Sequence, residues 1–466
     1  MYAKIGQIDS AQKLNFATFA WMTQLQKRIT LFGLTMIAIG SSIGSGIFVT
    51  PGSIARELPV PHLIFLVWFL GGVMGLTGAL TFSELGGMFN RAGGVYVYIK
   101  EAYGDLAAFV YGWVMLMVIN TGALAGLCVA FAEYLKILIP GISDQWKTII
   151  ASVTLISLTL INLRGVHYSQ YVSNILTVIK ISAIVFIVLL GLFCGNQNAV
   201  NLNFNSIHAF TPAAGLFSSI FTAMVGVFFS VGGWHHATFV ASEVINPSKN
   251  IARAMVIGIV IITLSYLTIN LAFMRLLPLH LIASTQTVAS DAVTSVIPWG
   301  GRLIAIGIAL SIFGTISIYS MSAPRIFYAM AEDKIFFPAF ARVHARWHTP
   351  VISMLFQAIW ALCILLFFKA YFDKIITFVT FMDALFFALA AASVFVFRLK
   401  KREAERPYRV WGYPVIPIVF ITLQMTFAIN IFFQKPEQAV PGLILLMVGA
   451  GLFYWFKKNK SYNVKN

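Results

Sequence analysis

From Leu31 almost to the C-terminus, long apolar runs alternate with short polar connections. Stretches of 18 or more apolar residues recur, each long enough to cross a hydrocarbon core about 30 Å thick. Bounding the runs by charges and by Pro or Gly predicts twelve spans, at about 31–55, 62–88, 105–132, 148–163, 171–193, 215–242, 251–275, 302–330, 350–368, 375–397, 412–433 and 439–456. The pattern is that of an all-α polytopic membrane protein.

Two spans are interrupted by small residues at the same relative place. Span 1 reads Ile39-Gly40-Ser41-Ser42-Ile43-Gly44-Ser45-Gly46-Ile47-Phe48, and span 6 reads Phe229-Ser230-Val231-Gly232-Gly233-Trp234-His235. Glycine clusters permit backbone that is not helical. Inside a bilayer such backbone is tolerated only where it is buried in protein or lines a polar cavity. Because spans 1 and 6 are five helices apart, they run in opposite directions. That is the inverted-repeat arrangement of secondary transporters, whose broken helices meet near the midplane and form the substrate site. The expected organisation is an N-tail (1–30), a first repeat of spans 1–5 (31–193), an inverted second repeat of spans 6–10 (215–397), two appended spans (412–456) and a C-tail (457–466). Close helix packing suffices for Gly71, Gly72, Gly75 and Gly78 in span 2. It does not predict matching breaks in both halves.

Composition narrows the class. The 466 residues are 59% hydrophobic and only 10% charged, against about 25% charged in soluble domains, which excludes an ordinary soluble enzyme. The net charge of +16 would raise the question of nucleic acid in a soluble protein. Here, with Lys and Arg at span ends assigned to the adjoining connection, 23 of the 32 belong to the N-tail, the even-numbered connections and the C-tail, eight belong to the odd-numbered connections, and Lys180 lies within a span. This bias predicts a multi-pass protein of the cell membrane with both termini cytoplasmic. Basic runs such as Arg398, Lys400, Lys401 and Arg402, or Lys457, Lys458 and Lys460, then face anionic headgroups, and no nucleic-acid partner is expected. The first 30 residues lack a short apolar core with a small-residue cleavage site, so the first span is expected to direct insertion. Cys128, Cys194 and Cys363 are scattered through apolar segments, which argues against a disulfide framework. No spacing of His, Cys or carboxylates suggests a metal site, and no cofactor is expected.

At the breaks the sequence resembles the amino acid-polyamine-organocation superfamily. Ile43-Gly44-Ser45-Gly46-Ile47-Phe48 followed by Pro51-Gly52 is similar to its first-helix motif, and Gly232-Gly233-Trp234 resembles the sixth-helix break of its L-amino acid transporter branch. Glu84-Leu85-Gly86 to Arg91-Ala92-Gly93-Gly94, Glu243-Val244-Ile245-Asn246-Pro247 to Asn250-Ile251-Ala252-Arg253-Ala254, and Pro324-Arg325 agree with it. The resemblance implies the leucine-transporter-like five-plus-five fold and an amino acid or related amine as cargo. Animal members pair with a glycoprotein through a cysteine between spans 3 and 4. The connection from Glu133 to Lys147 contains none, so no disulfide-linked partner is expected.

An amino acid zwitterion needs donors for its carboxylate and acceptors for its ammonium where unpaired charge is costly. The N–H groups of Ser45, Gly46 and Ile47, at the start of the second half of span 1, are expected to hold the carboxylate. The carbonyls of Ser42, Ile43, Phe229, Ser230 and Gly232 are expected to accept from the ammonium. Phe229 stands where the family carries an aromatic gate; facing core or lipid is the alternative. Gly233, Trp234, His235 and Asn120 are candidate pocket residues. Core packing remains open for Trp234, backbone hydrogen bonding for His235 and His236, and a helix–helix hydrogen bond for Asn120. Adjacent positions do not share one helical face, so the histidine pair is not read as a metal site. Glu84 and Glu243, at the ends of spans 2 and 6, are expected to pair with Arg or Lys.

Lys180 lies nine residues into span 5 from Tyr171, about 13 Å along a helix, where cations are uncommon and face polar interiors. Snorkelling to the interface is the alternative. In related transporters a lysine at this place resembles a substitute for sodium. An ammonium there would brace span 1 against span 8, and one able to release its proton would carry a coupled proton. Sodium-independent amino acid exchange by alternating access is therefore expected, with proton-coupled symport as the alternative. A polytopic membrane enzyme would need a catalytic cluster near one interface, and a channel would need filter loops or charged rings. Neither pattern is found.

Overall fold

The computed structural model describes residues 21–22, 27–89, 91–139, 144–164, 166–195, 212, 215–285, 287–367 and 372–463; most of the predicted N-tail, including Lys4 and Lys13, lies outside them. The described chain is helical nearly throughout. Among the described residues ten helices are long and apolar enough to cross a membrane, and the segments predicted as spans 6 and 9 form shorter apolar helices, Leu216–Val231 and Val351–Leu366. Helices satisfy their backbone polar groups internally, as a hydrocarbon solvent demands. The molecule is a polytopic all-α membrane protein.

The interruptions fall where the small residues fall. Span 1 is two helices, Leu31–Ser42 and Gly46–Glu57. Span 6 ends as a regular helix at Val231 and resumes in a short turn, His236–Phe239, after Gly233 takes a φ of +99°. Span 3 contains a π-helical turn, Met115–Ile119, between Asp105–Val114 and Asn120–Leu138. Span 8 breaks between Gly300–Ser322 and Pro324–Glu332, since a proline starts a helix more readily than it continues one. Three connections carry helices that no long apolar run announced, Val95–Tyr103, Leu279–Ser284 and Val288–Thr294.

Span 2 (Pro61–Met88) packs along span 7 (Pro247–Leu276). A β-carbon at Gly72 would run into Thr263, one at Gly75 into Ile259, and one at Gly78 into Phe420 and Trp234. These glycines serve close helix packing.

One end of the bundle is tied by buried charges. Glu84 accepts from Arg398 at 2.6 Å and from the Val410 N–H at 2.7 Å, with Arg406 3.4 Å away. Arg325 donates to Glu243 at 2.8 Å, and both side chains are essentially inaccessible. The Glu243 carbonyl accepts the N–H groups of Arg28 and Ile29, each at 2.8 Å, which fastens the chain before span 1 to the end of span 6. Asp333 accepts from Arg91 at 2.7 Å, Lys100 at 2.8 Å and Tyr96 at 2.9 Å. Burial works against the Asp333 carboxylate, but its hydrogen bonds from Lys100 and Arg91 outweigh it and hold the carboxyl below the usual range.

Removing one partner of a buried ion pair strands the other, at a cost of about 3–5 kcal/mol. Arg325→Met is expected to lower the thermal midpoint in detergent by that mechanism, with the double variant Arg325→Met/Glu243→Met recovering part of the loss; a single variant as stable as wild type would exclude it. A depressed carboxyl contributes stability that is present above its unfolded value, about 3.9, and lost as pH falls through the folded value. Asp333→Asn should therefore unfold more readily at neutral pH and show a shallower loss of midpoint on acidification through about pH 4. Parallel wild-type and variant melting curves across that range would contradict the pairing.

Candidate functional site

The two breaks meet. The Ser41 hydroxyl donates to the Gly233 carbonyl at 2.7 Å, and the Thr50 and Ser230 hydroxyls lie 3.0 Å apart. A β-carbon at Gly233 would come within 2.6 Å of the Ser41 carbonyl oxygen, and one at Gly46 within 2.8 Å of the Ser230 α-carbon. Residues of span 1 taken in ascending order, 41, 46 and 50, thus meet residues of span 6 in descending order, 233, 230 and 226. The two segments cross antiparallel, and their closeness requires glycine at both positions.

The crossing leaves opposite backbone groups side by side. Helix Gly46–Glu57 begins here, and among the described residues the N–H groups of Ser45, Gly46 and Ile47 have no backbone partner, while Phe48 and Val49 donate to the Ser45 carbonyl at 3.1 Å. The Ser45 hydroxyl is likewise buried without a partner. A helix N-terminus with free donors favours an anion. The Ser42 and Ser230 carbonyls converge on one group, the buried Tyr266 hydroxyl of span 7, at 3.0 and 2.9 Å. The Ile43 carbonyl instead turns to span 8, where the Thr315 hydroxyl lies at 3.1 Å. Phe229 and Gly232 keep partial accessibility while Phe228, Ser230 and Val231 are buried.

Lys180 is wholly buried and points inward. Its ammonium donates to the Gly40 carbonyl and to the Thr315 hydroxyl, each at 2.6 Å. Span 5 is thereby tied to spans 1 and 8, and the snorkelling orientation is not adopted.

The remaining candidates separate. Trp234 packs on Phe82 and Phe387, with ring centroids 5.5 and 6.3 Å away, which is the core-packing alternative. Asn120 is buried with neither amide atom hydrogen-bonded, so the helix–helix bond open to it is not made among the described residues. The His235 ring lies 4.6 Å from Phe387 and its Nδ1 has no partner, while His236 Nδ1 bonds the Ser322 hydroxyl and its ring lies 4.2 Å from Tyr319. The two imidazoles are 4.9 Å apart. Glu84 and Glu243 hold the arginine partners expected of them.

Two polar residues at the site escaped the sequence reading. Tyr266 is one of 16 tyrosines in an otherwise ordinary span, and nothing in its spacing marks it. Asp383 carried a usable signal, a carboxylate within an apolar span. It lies within electrostatic reach of Tyr111 of span 3 and Tyr319 of span 8.

Comparison with known proteins identifies the family. Residues 29–453 match the family described as amino acid permease. The chain is 30% identical over 445 residues to the serine/threonine exchanger SteT of Bacillus subtilis (strain 168), covering 94% of this chain and 98% of that protein. It is 29% identical over 453 residues to the large neutral amino acids transporter small subunit 2 of Mus musculus, covering 94% and 83%. With the human cystine/glutamate transporter it shares 27% identity over 452 residues, covering 95% and 88%. The chain belongs to the amino acid permease family, on the L-amino acid transporter branch of the amino acid-polyamine-organocation superfamily, and is a membrane transporter and not an enzyme.

Proposed function

We propose that this transporter exchanges one amino acid for another by alternating access, without sodium. The observation that carries the reading is the antiparallel crossing of the two broken helices. It sets the free N–H groups of Ser45, Gly46 and Ile47 beside the carbonyls of Ser42 and Ser230, the complement of a zwitterion's two charges. The antiparallel order supports an inverted repeat of spans 1–5 (31–193) and 6–10 (215–397) within twelve spans of the leucine-transporter-like fold, with spans 11 and 12 appended. Phe229, partly accessible beside the break, closes over bound substrate. The basic bias of the N-tail, even-numbered connections and C-tail supports a cytoplasmic position in the cell membrane for the Glu84, Glu243 and Asp333 clusters. The connection from Glu133 to Lys147 offers no cysteine to a disulfide-linked partner.

Lys180 supports the absence of sodium, because its ammonium already bridges the Gly40 carbonyl of span 1 and Thr315 of span 8. A cation bound among those oxygens would meet a fixed positive charge. The name of the serine/threonine exchanger relative supports exchange over net uptake. Proton-coupled symport stays in view as a second reading, since the same buried ammonium is a titratable group inside the membrane.

Substitutions at the crossing test the site. Gly46→Ala and Gly233→Ala are each expected to weaken amino acid binding by at least about tenfold, or about 1.4 kcal/mol, in purified protein that still melts cooperatively; wild-type affinity in either variant would move the site elsewhere. In proteoliposomes, replacing sodium by choline at fixed pH is expected to leave uptake unchanged, and a collapse would end the sodium-free reading. Preloading the vesicles with amino acid is expected to accelerate uptake severalfold. Uptake indifferent to internal amino acid but driven by an inward proton gradient would establish symport instead.

A further inference from the structure

Asp383 is a carboxylate in the middle of the apolar helix Phe372–Lys400. Among the described residues it makes no hydrogen bond or ion pair, and no cationic group lies within electrostatic reach. An ionised group in such a place is costly unless it is paired, and intramembrane carboxylates mark substrate or ion paths. Its immediate neighbours Phe381, Met382 and Ala384 are buried, yet Asp383 itself keeps partial accessibility.

The Asp383 helix reaches the amino acid site. Tyr319, also partly accessible, is within electrostatic reach of both Asp383 and Tyr266, and Tyr266 bridges the two breaks. One turn along the Asp383 helix, Phe387 packs against His235, which directly follows the break. On the other side Tyr111 brings a fully buried hydroxyl that has no hydrogen-bond partner. A carboxylate without a counter-charge and an unsatisfied hydroxyl thus stand together, beyond the groups that read the substrate's own carboxylate and ammonium.

We propose that Asp383, with Tyr111 beside it, forms the subsite for the far end of the substrate side chain, and that it takes amino acids bearing a second positive group, an amine or a guanidine. The inference rests on the amino acid site proposed above and names the substrate class of that site. A cationic side chain supplies the counter-charge that the protein withholds, so pairing is completed only when cargo is bound. A neutral aliphatic side chain of the same length offers Asp383 no counter-charge, which sets the direction of selectivity.

Lysine and norleucine are the discriminating pair, since they differ by the terminal ammonium at nearly equal length. Binding to the purified full-length protein is measured for both at one near-neutral pH, in wild type, Asp383→Asn and Asp383→Glu. Wild type is expected to favour lysine by at least about tenfold, Asp383→Glu to keep a preference, and Asp383→Asn to bring the ratio near one, with its residual norleucine binding reporting a folded site. A wild-type protein that binds norleucine as well as lysine overturns the proposal without need of any variant. So does an unchanged ratio in Asp383→Asn, or an effect confined to the pH dependence of norleucine uptake, which would make Asp383 a proton site. Norleucine binding without lysine binding removes this inference alone; failure to bind any amino acid removes the underlying site as well.

Discussion

The structure depends on one constraint, that a polar backbone group inside hydrocarbon must find a partner within the protein. Two helices stop and restart near the middle of the bundle, which leaves several N–H and C=O groups without their helical partners. The protein answers by crossing the two interruptions at a distance only glycine permits, Gly46 against Ser230 and Gly233 against Ser41. Side chains cover part of what is left. Tyr266 takes two carbonyls, Thr315 and Lys180 take those of Gly40 and Ile43, and Ser41 takes that of Gly233. The donors at Ser45, Gly46 and Ile47 stay open. Binding capacity is what remains after a required accounting has been nearly completed.

The same cost governs the charges. Lys180 donates to oxygen acceptors on two spans; Glu84 and Glu243 are buried only with arginines against them. Each pairing joins elements distant in sequence, so charge satisfaction and tertiary assembly are one event. Among the described residues Asp383 departs from this pattern, and such a departure is where function is to be sought.

Much of this was legible in the chain. Apolar length marked the membrane helices, although spans 6 and 9 proved shorter than the runs that announced them. The clusters around Gly44 and Gly232 marked both breaks, because a bilayer makes irregular backbone conspicuous. Lys180 was conspicuous for the same reason, while its bracing of span 1 against span 8 was expected from the family resemblance. What lay beyond the sequence were the contacts set by rotation of one helix against another. Tyr266 belongs to span 7, and nothing local to it says that its hydroxyl ends between two other spans. Trp234 sits within the motif yet turns toward Phe82 and Phe387, since a turn at Gly233 redirects the side chains that follow. Asp383 was a missed signal, overlooked beside a more central cation.

Glu243 carries a mechanical consequence. Its carbonyl grips the strand of chain leading into the first helix, and its carboxylate grips Arg325 near the end of the eighth. One residue is therefore a knot tying three levers at the same end of the molecule. Any widening at that end must either untie the knot, exposing a salt bridge to solvent, or swing all three levers together. The route by which this end can open is thus decided by a single acidic residue well away from the cargo.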